Sequence, residues 1–71
     1  MFLKTTIYDE IDNIKRKNLI PIKNIDNIFE FIEDDNIADI VKSIIRLTDG
    51  TTLYCCDTID ELDKVLNWQR G

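Results

Sequence analysis

The stretch Ser43 to Leu62, SIIRLTDGTTLYCCDTIDEL, constrains the fold of this chain more than any other. Asp49-Gly50 lies between two β-prone runs, the short-range signature of a hairpin. A two-residue turn there would set Ile45 opposite Tyr54 and put Leu53 on the face of Arg46. A three-residue loop, Thr48-Asp49-Gly50, sets Ile45 opposite Leu53. Ile45, Leu47, Leu53 and Cys55 then share one face, and Ile44, Arg46, Thr52, Tyr54 and Cys56 the other. Because a one-residue slip turns every side chain over, the register with the cleaner apolar face is expected. That loop needs a left-handed residue at position 50, which glycine supplies.

A helix is expected directly afterwards. Thr58-x-x-Glu61 matches the capping box, in which hydroxyl and carboxylate satisfy two helix-end donors reciprocally. Asp57 is a competing cap. Asp57, Asp60, Glu61 and Asp63 crowd the positive end of the helix dipole, with Arg70 near the negative end. Ile59, Leu62, Val65 and Leu66 recur at helical spacing and supply an apolar stripe to lay on a sheet.

Upstream, Phe2 to Tyr8 (FLKTTIY) reads as a strand from its Thr and Ile content. A rival reading makes Thr6 to Lys17 a helix, with Ile7, Ile11 and Ile14 on one face. Lys15 to Lys17 is expected to be a solvated loop. Leu19 to Ile22 (LIPI) is a short extended piece at a sheet edge, because Pro21 has no amide to donate. Lys23 to Asn27 carries turn chemistry, and Ile28 to Asp34 reads as a strand with Ile28, Glu30 and Ile32 facing one way and Phe29, Phe31 and Glu33 the other. Asp35 to Lys42 is a helical turn or a loop. The expected fold is therefore α+β, a single domain over residues 1–71. It comprises a small antiparallel sheet of about four strands with one C-terminal helix. One helix covers one face only. A sheet with Phe29 or Phe31, Ile44 and Tyr54 on its other face must curl into a partial barrel or pair with another subunit.

Composition narrows the function. Seventy-one residues sit near the lower limit for one hydrophobic core. Thirteen isoleucines lean the chain towards strand and, with abundant Asn, Asp and Lys, suggest the AT-rich coding of a low-GC bacterium or its phages. A net charge of -5 disfavours direct contact with nucleic acid. No apolar run spans a membrane, and the first residues lack a signal-peptide core, so a cytoplasmic location is expected. Histidine is absent, which removes the commonest general base. There is no phosphate-binding glycine loop and no calcium-loop spacing. Neither an enzyme nor a cofactor is expected.

Cys55 and Cys56 are neighbours, and neighbouring strand residues point to opposite faces. A disulfide between them would be strained, and two cysteines without histidine cannot build a tetrahedral zinc site. Cys55 is expected in the core and Cys56 as a free thiol on the other face, which suits a reducing cytoplasm.

The combined pattern NLIPIKNIDNIFEFIED … SIIRLTDGTTLYCCDTIDELDKVL resembles the small bacterial proteins of the flagellar FlbD type. It is also similar to short uncharacterised proteins of Gram-positive phages and mobile elements. The shared features are the turn at Asn24 to Ile28, the hairpin at Asp49-Gly50 and the helix start Asp57-Thr58-Ile59-Asp60-Glu61-Leu62. The segment Asp34 to Lys42 and the first loop are longer here than in that pattern. The resemblance implies a non-catalytic accessory role and carries over no reactive residue.

The reading that follows is a non-enzymatic protein-binding module, a phage or mobile-element product that inhibits or retunes a host protein, with an anti-CRISPR or other anti-defence role as its sharpest form. The alternative is a structural or regulatory accessory protein of the FlbD type. Candidate interface residues are Glu30, Glu33, Asp34, Asp35 and Asp39, which form an acidic patch if the loop after Asp34 folds back, together with Tyr54 and Trp68, since Tyr and Trp are enriched at interfaces. A homodimer is expected from the two apolar sheet faces.

Overall fold

A computed structural model describes the backbone of residues 1–32 and 37–70, and side chains through residue 66 within those ranges. Five strands and one helix follow in chain order: β1 Phe2–Asp9, β2 Ile14–Pro21, β3 Ile25–Glu30, β4 Ser43–Leu47, β5 Thr52–Cys55 and α1 Ile59–Arg70. The strands form one antiparallel sheet in the order β2-β1-β5-β4-β3. The α+β class stands, with five strands where about four were expected.

The additional strand is β2. Asp9 pairs with Ile14, so Glu10 to Asn13 close a hairpin and not a helix. The Asp9 carboxylate accepts the Ile11 and Asp12 amides at 2.9 and 3.3 Å, and Asn13 takes a left-handed φ of 54°. Those are turn duties that Asp and Asn perform readily. Ile11, a supposed helix-face residue, is 94% exposed at the loop tip. Lys15 to Lys17 therefore lie on a strand, correcting the solvated-loop expectation, and the LIPI piece is the end of an eight-residue strand. Pro21 does sit on an edge strand.

A 3-10 turn, Ile22–Asn24, joins β2 to β3. These are the two outermost strands of the sheet. Four strand spacings of about 4.8 Å put the edges of a flat sheet roughly 19 Å apart. The four Cα steps from Pro21 to Ile25 reach at most about 14 Å, and a 3-10 turn shortens that further. The sheet must curl until its edges approach at this end. Hydrogen bonds hold the link there: the Ile22 amide donates to the Met1 carbonyl at 3.1 Å, and the Thr48 amide to the Asn24 carbonyl at 2.8 Å. An irregularity in the β3–β4 pairing between Ile25 and Asn27 adds bend at the same end.

The concave side holds the core. Leu3, Ile20, Ile45, Cys55 and Leu62 form one buried cluster, with Ile7, Ile22, Ile25, Ile28, Leu47, Leu53 and Leu66 packed around it. Leu62 and Leu66 come from α1, whereas Val65, assigned to the same stripe, stands at its rim, 37% exposed.

The β4–β5 hairpin has the expected register, with Ile45 opposite Leu53 and Ile44 opposite Tyr54. Gly50 has φ +93°, its amide donates to the Leu47 carbonyl at 3.0 Å, and the Leu47 amide donates to the Thr51 carbonyl at 2.8 Å. The capping box also forms: the Thr58 amide donates to Glu61 Oε1 at 3.2 Å, and the Glu61 amide to Thr58 Oγ1 at 3.1 Å. β3 ends at Glu30, earlier than the expected Asp34, although the Phe31 amide still donates to the Lys42 carbonyl at 3.1 Å. The following segment makes one helical turn at Ile37 to Val41, closed by a bond of 2.7 Å from the Val41 amide to the Ile37 carbonyl.

Open space surrounds the position that a Cβ on Gly50 would occupy, so replacing the glycine tests backbone conformation alone. Gly50→Ala is expected to destabilise the fold by about 1–2 kcal/mol, with Gly50→Asn losing less, because Asn tolerates positive φ. Urea unfolding midpoints of the three proteins check this; equal midpoints would mean that the turn does not depend on a left-handed residue.

Candidate interaction face

The register places a row of large side chains across the convex face. Directly opposite pairs run Lys15–Tyr8, Tyr8–Tyr54, Tyr54–Ile44 and Ile44–Phe29. Phe31 meets Tyr54 edge-on, with centroids 6.3 Å apart and planes at 81°. The Arg46 guanidinium lies over the Phe29 ring, 5.5 Å from its centroid. Tyr8 is buried in this row and donates its hydroxyl to Asn13 Oδ1 at 2.5 Å. Beyond the row, Phe2 and Leu19 stand 52% and 65% exposed.

The charges on this face run against the net charge of the chain. The strand alternation that turns Ile20 inward, opposite Leu3, turns Lys15 and Lys17 outward; Lys4 is outward opposite Leu19, and Arg46 opposite Thr52. Apart from Asp26, which lies at the irregularity of β3 where parity assigns no face, the charged side chains that the pairing turns to the convex face among the described strand residues are basic.

The expected interface residues are not gathered in one place. Tyr54 sits at the centre of the convex row. Glu30 shares the parity of core-packed Ile28 and so belongs to the concave side, at the end of β3. The later segment does return beside it: Ala38, Val41 and Lys42 line the same shallow hollow as Glu30, Thr58 and Asp60. That hollow thus mixes a base with the acids, and Lys42 Nζ donates to the Ala38 carbonyl at 3.2 Å. Asp39 is exposed on the turn. Glu33, Asp34 and Asp35 lie outside the described residues, as does the side chain of Trp68.

A second polar arrangement, unread in the sequence, sits where β5 ends. The Cys56 amide donates to the Thr6 carbonyl at 2.9 Å, after which the chain turns away towards α1. Main-chain pairing with β1 stops, and the Asp57 carboxylate takes over. Its Oδ2 accepts the Thr6 amide at 3.3 Å and the Thr5 hydroxyl at 2.5 Å. Thr5 Oγ1 also lies 2.9 Å from Cys55 Sγ, and Ser43 Oγ donates to the Asp57 carbonyl at 2.7 Å. Thr5, Ser43 and Cys55 are buried, so each of these polar groups needs its partner. Asp57 is therefore no helix cap; Thr58 caps and Asp57 ties β1 to the β5–α1 turn. The threonine at position 5, on the inward parity of an apolar strand, was the signal that could have revealed the seam.

The cysteines divide as their adjacency requires. Cys55 is buried and Cys56 partly buried, and both are free thiols. Burial pushes the Cys56 thiol above its ordinary value, with Lys15 pulling the other way and Cys55 and Asp57 adding to the rise. Among the described residues no group of three or more His, Cys, Asp or Glu side chains is placed to hold a metal ion. Among them, too, no helix is long and apolar enough to cross a membrane.

No family model matches the sequence, and comparisons with curated proteins and with solved structures find no match either.

Two outcomes are expected here. Asp57→Ala leaves the Thr5 hydroxyl and Thr6 amide without their acceptor and should cost about 1–3 kcal/mol in a denaturant titration; Asp57→Asn, which retains one acceptor oxygen, should cost less. Equal losses for both would deny the carboxylate its bridging role. A raised thiol pKa means less thiolate at neutral pH, so Cys56 should alkylate more slowly than a free cysteine peptide at about pH 7.5, and accelerate as pH climbs past the ordinary thiol range. Cys55 should react only on unfolding. Mass-resolved iodoacetamide kinetics distinguish the two sites, and a fast reaction at neutral pH would contradict the assignment for Cys56.

Proposed function

We propose that the chain is a non-enzymatic protein-binding module that acts in the cytoplasm on a host protein. The convex row of Tyr54, Phe31, Ile44 and Phe29, flanked by exposed Phe2 and Leu19, supports this reading above any other observation. Aromatic side chains with an arginine among them are the residues that anchor protein interfaces. In its sharper form, the module is the product of a phage or mobile element that inhibits a defence protein, as an anti-CRISPR does. The bases on the convex face keep it from imitating a duplex with that surface, so recognition of the target itself is the more economical mode. The second reading, an accessory protein of the FlbD type, rests on the hairpin and helix-start residues that carry that resemblance.

The test is an affinity pull-down from a low-GC bacterial host carrying defence systems. A discrete nuclease or other nucleic-acid enzyme is expected in stoichiometric amount. Replacing exposed Phe2 and Arg46 with aspartate should abolish recovery while shifting stability by about 0.5 kcal/mol or less per site. Flagellar components on the resin would favour the accessory reading. Recovery of the chain alone would assign the convex face to a homodimer.

A further inference from the structure

Resting on the protein-binding reading, we propose that the free edge of β2 receives an extended acidic segment of the partner as a sixth strand. The main-chain pattern identifies which groups are available. Thr6 exchanges its hydrogen bonds on the β5 side, since its carbonyl accepts the Cys56 amide. In an antiparallel strand the bonding direction alternates, so Leu3, Thr5, Ile7 and Asp9 turn theirs towards β2. Their partners there are Ile20, Asn18, Arg16 and Ile14. The amides and carbonyls of Lys15, Lys17 and Leu19 consequently point away from β1, and β2 is a terminal strand of the sheet. Pro21, next in the outward series, has no amide to leave unpaired.

Side chains set the chemistry of the occupant. The residues whose main-chain groups point outward from the edge are those whose side chains stand on the convex face. A strand laid against β2 therefore sets alternate side chains beside Lys15, Lys17 and Leu19, with Lys4 just behind, opposite Leu19. The strand IKRKNLIP contains no acid in a chain whose net charge is -5. Opposite charges directly across a strand pair are favourable and like charges are not, so the edge selects carboxylates. The same rule disfavours a second copy: two β2 strands side by side would set lysines against lysines. Lysines on an edge also guard it against unselective pairing, which an acidic occupant overcomes and others do not. A single-stranded nucleic acid fits less well. It needs successive aromatic rings free to stack, whereas of the described rings on this face only Phe2 stands exposed: Tyr8 is buried, Phe29 is covered by Arg46, and Tyr54 is engaged by Phe31.

The probe is an acetylated, amidated peptide alternating glutamate with valine and matching the eight residues of β2, titrated into the 15N-labelled full chain. Controls are the same peptide with lysine for glutamate and an oligodeoxythymidine of equal length. The expected result is slowed exchange and shifted resonances for the Lys15, Lys17 and Leu19 amides with the acidic peptide alone. Affinity should fall about tenfold in Lys15→Glu/Lys17→Glu, a double variant whose unfolding midpoint stays near that of the parent chain. Binding of the lysine peptide, shifts confined to other elements, or tighter binding of the oligonucleotide would overturn the proposal. The pull-down separates the two levels of inference. A host protein recovered undiminished by the double variant overturns the β2 edge but keeps the protein-binding reading, and no host protein recovered by the parent chain removes both.

Discussion

The short link between β2 and β3 is the constraint on which the rest of the structure depends. Ile22–Asn24 must carry the chain between the two outermost strands. Once the sheet bends to allow it, the fold acquires an inside. Leu3 and Ile20 on one flank then share a cluster with Ile45 and Cys55 further along the sheet, and Leu62 of α1 suffices to complete it. A flat sheet of the same strands would spread those residues over a surface too wide for a single helix to cover. Curling is how so short a chain assembles a core at all, since small domains bury a small fraction of their surface.

Closure leaves the β5–α1 junction with a problem that Asp57 resolves. The chain must leave the sheet beside β1 to lay α1 over the concave side, and in leaving it strands the Thr6 amide. A carboxylate one residue beyond Cys56 reaches back to that amide and to the Thr5 hydroxyl, while its own carbonyl receives Ser43. Thr58 then caps the helix one residue later. The adjacent cysteines owe their different environments to this arrangement. Cys55 belongs to the last inward position of β5 and joins the buried seam through Thr5, whereas Cys56 faces outward near Lys15. Cys55 thus occupies a packed seam, and Cys56 is a partly covered thiol.

What could be read from the sequence was what is decided locally. The Gly50 loop and the Thr58–Glu61 box each depend on residues within a few positions, so their chemistry specifies them without help from the rest of the fold. Only the end of β2 was read, as the extended piece Leu19 to Ile22, because the charge of Lys15 to Lys17 looks like a solvated loop, and Asp9 and Asn13 reveal a turn only once Asp9 is seen to accept the Ile11 and Asp12 amides. The candidate site was legible at Tyr54, whose face follows from the hairpin register, and illegible for the bases. Lys4, Lys15, Lys17 and Arg46 are scattered in the sequence, and only strand pairing brings them to one face. Glu30 was placed by linear proximity to Glu33, Asp34 and Asp35, whereas its strand parity turns it to the concave side.

The same distinction explains how a chain with fourteen acids and nine bases presents a basic sheet face. Carboxylates are recruited to main-chain amides at the turns and at the helix start. Asp9 holds the first hairpin, Asp49 accepts the Thr51 amide in the second, Asp57 bridges to β1, and Glu61 completes the cap. Thr51, by its side chain and its amide, holds the Asp49 carboxyl below its ordinary value, as a charge employed in a turn should be held. Acids so employed belong to turns and helix starts. Strand faces have no unpaired amides to satisfy and are left to residues chosen for their sides of the sheet. Net charge therefore reports on how the turns and helix ends of this protein are built, and the surface that a partner meets must be read from the register of its strands.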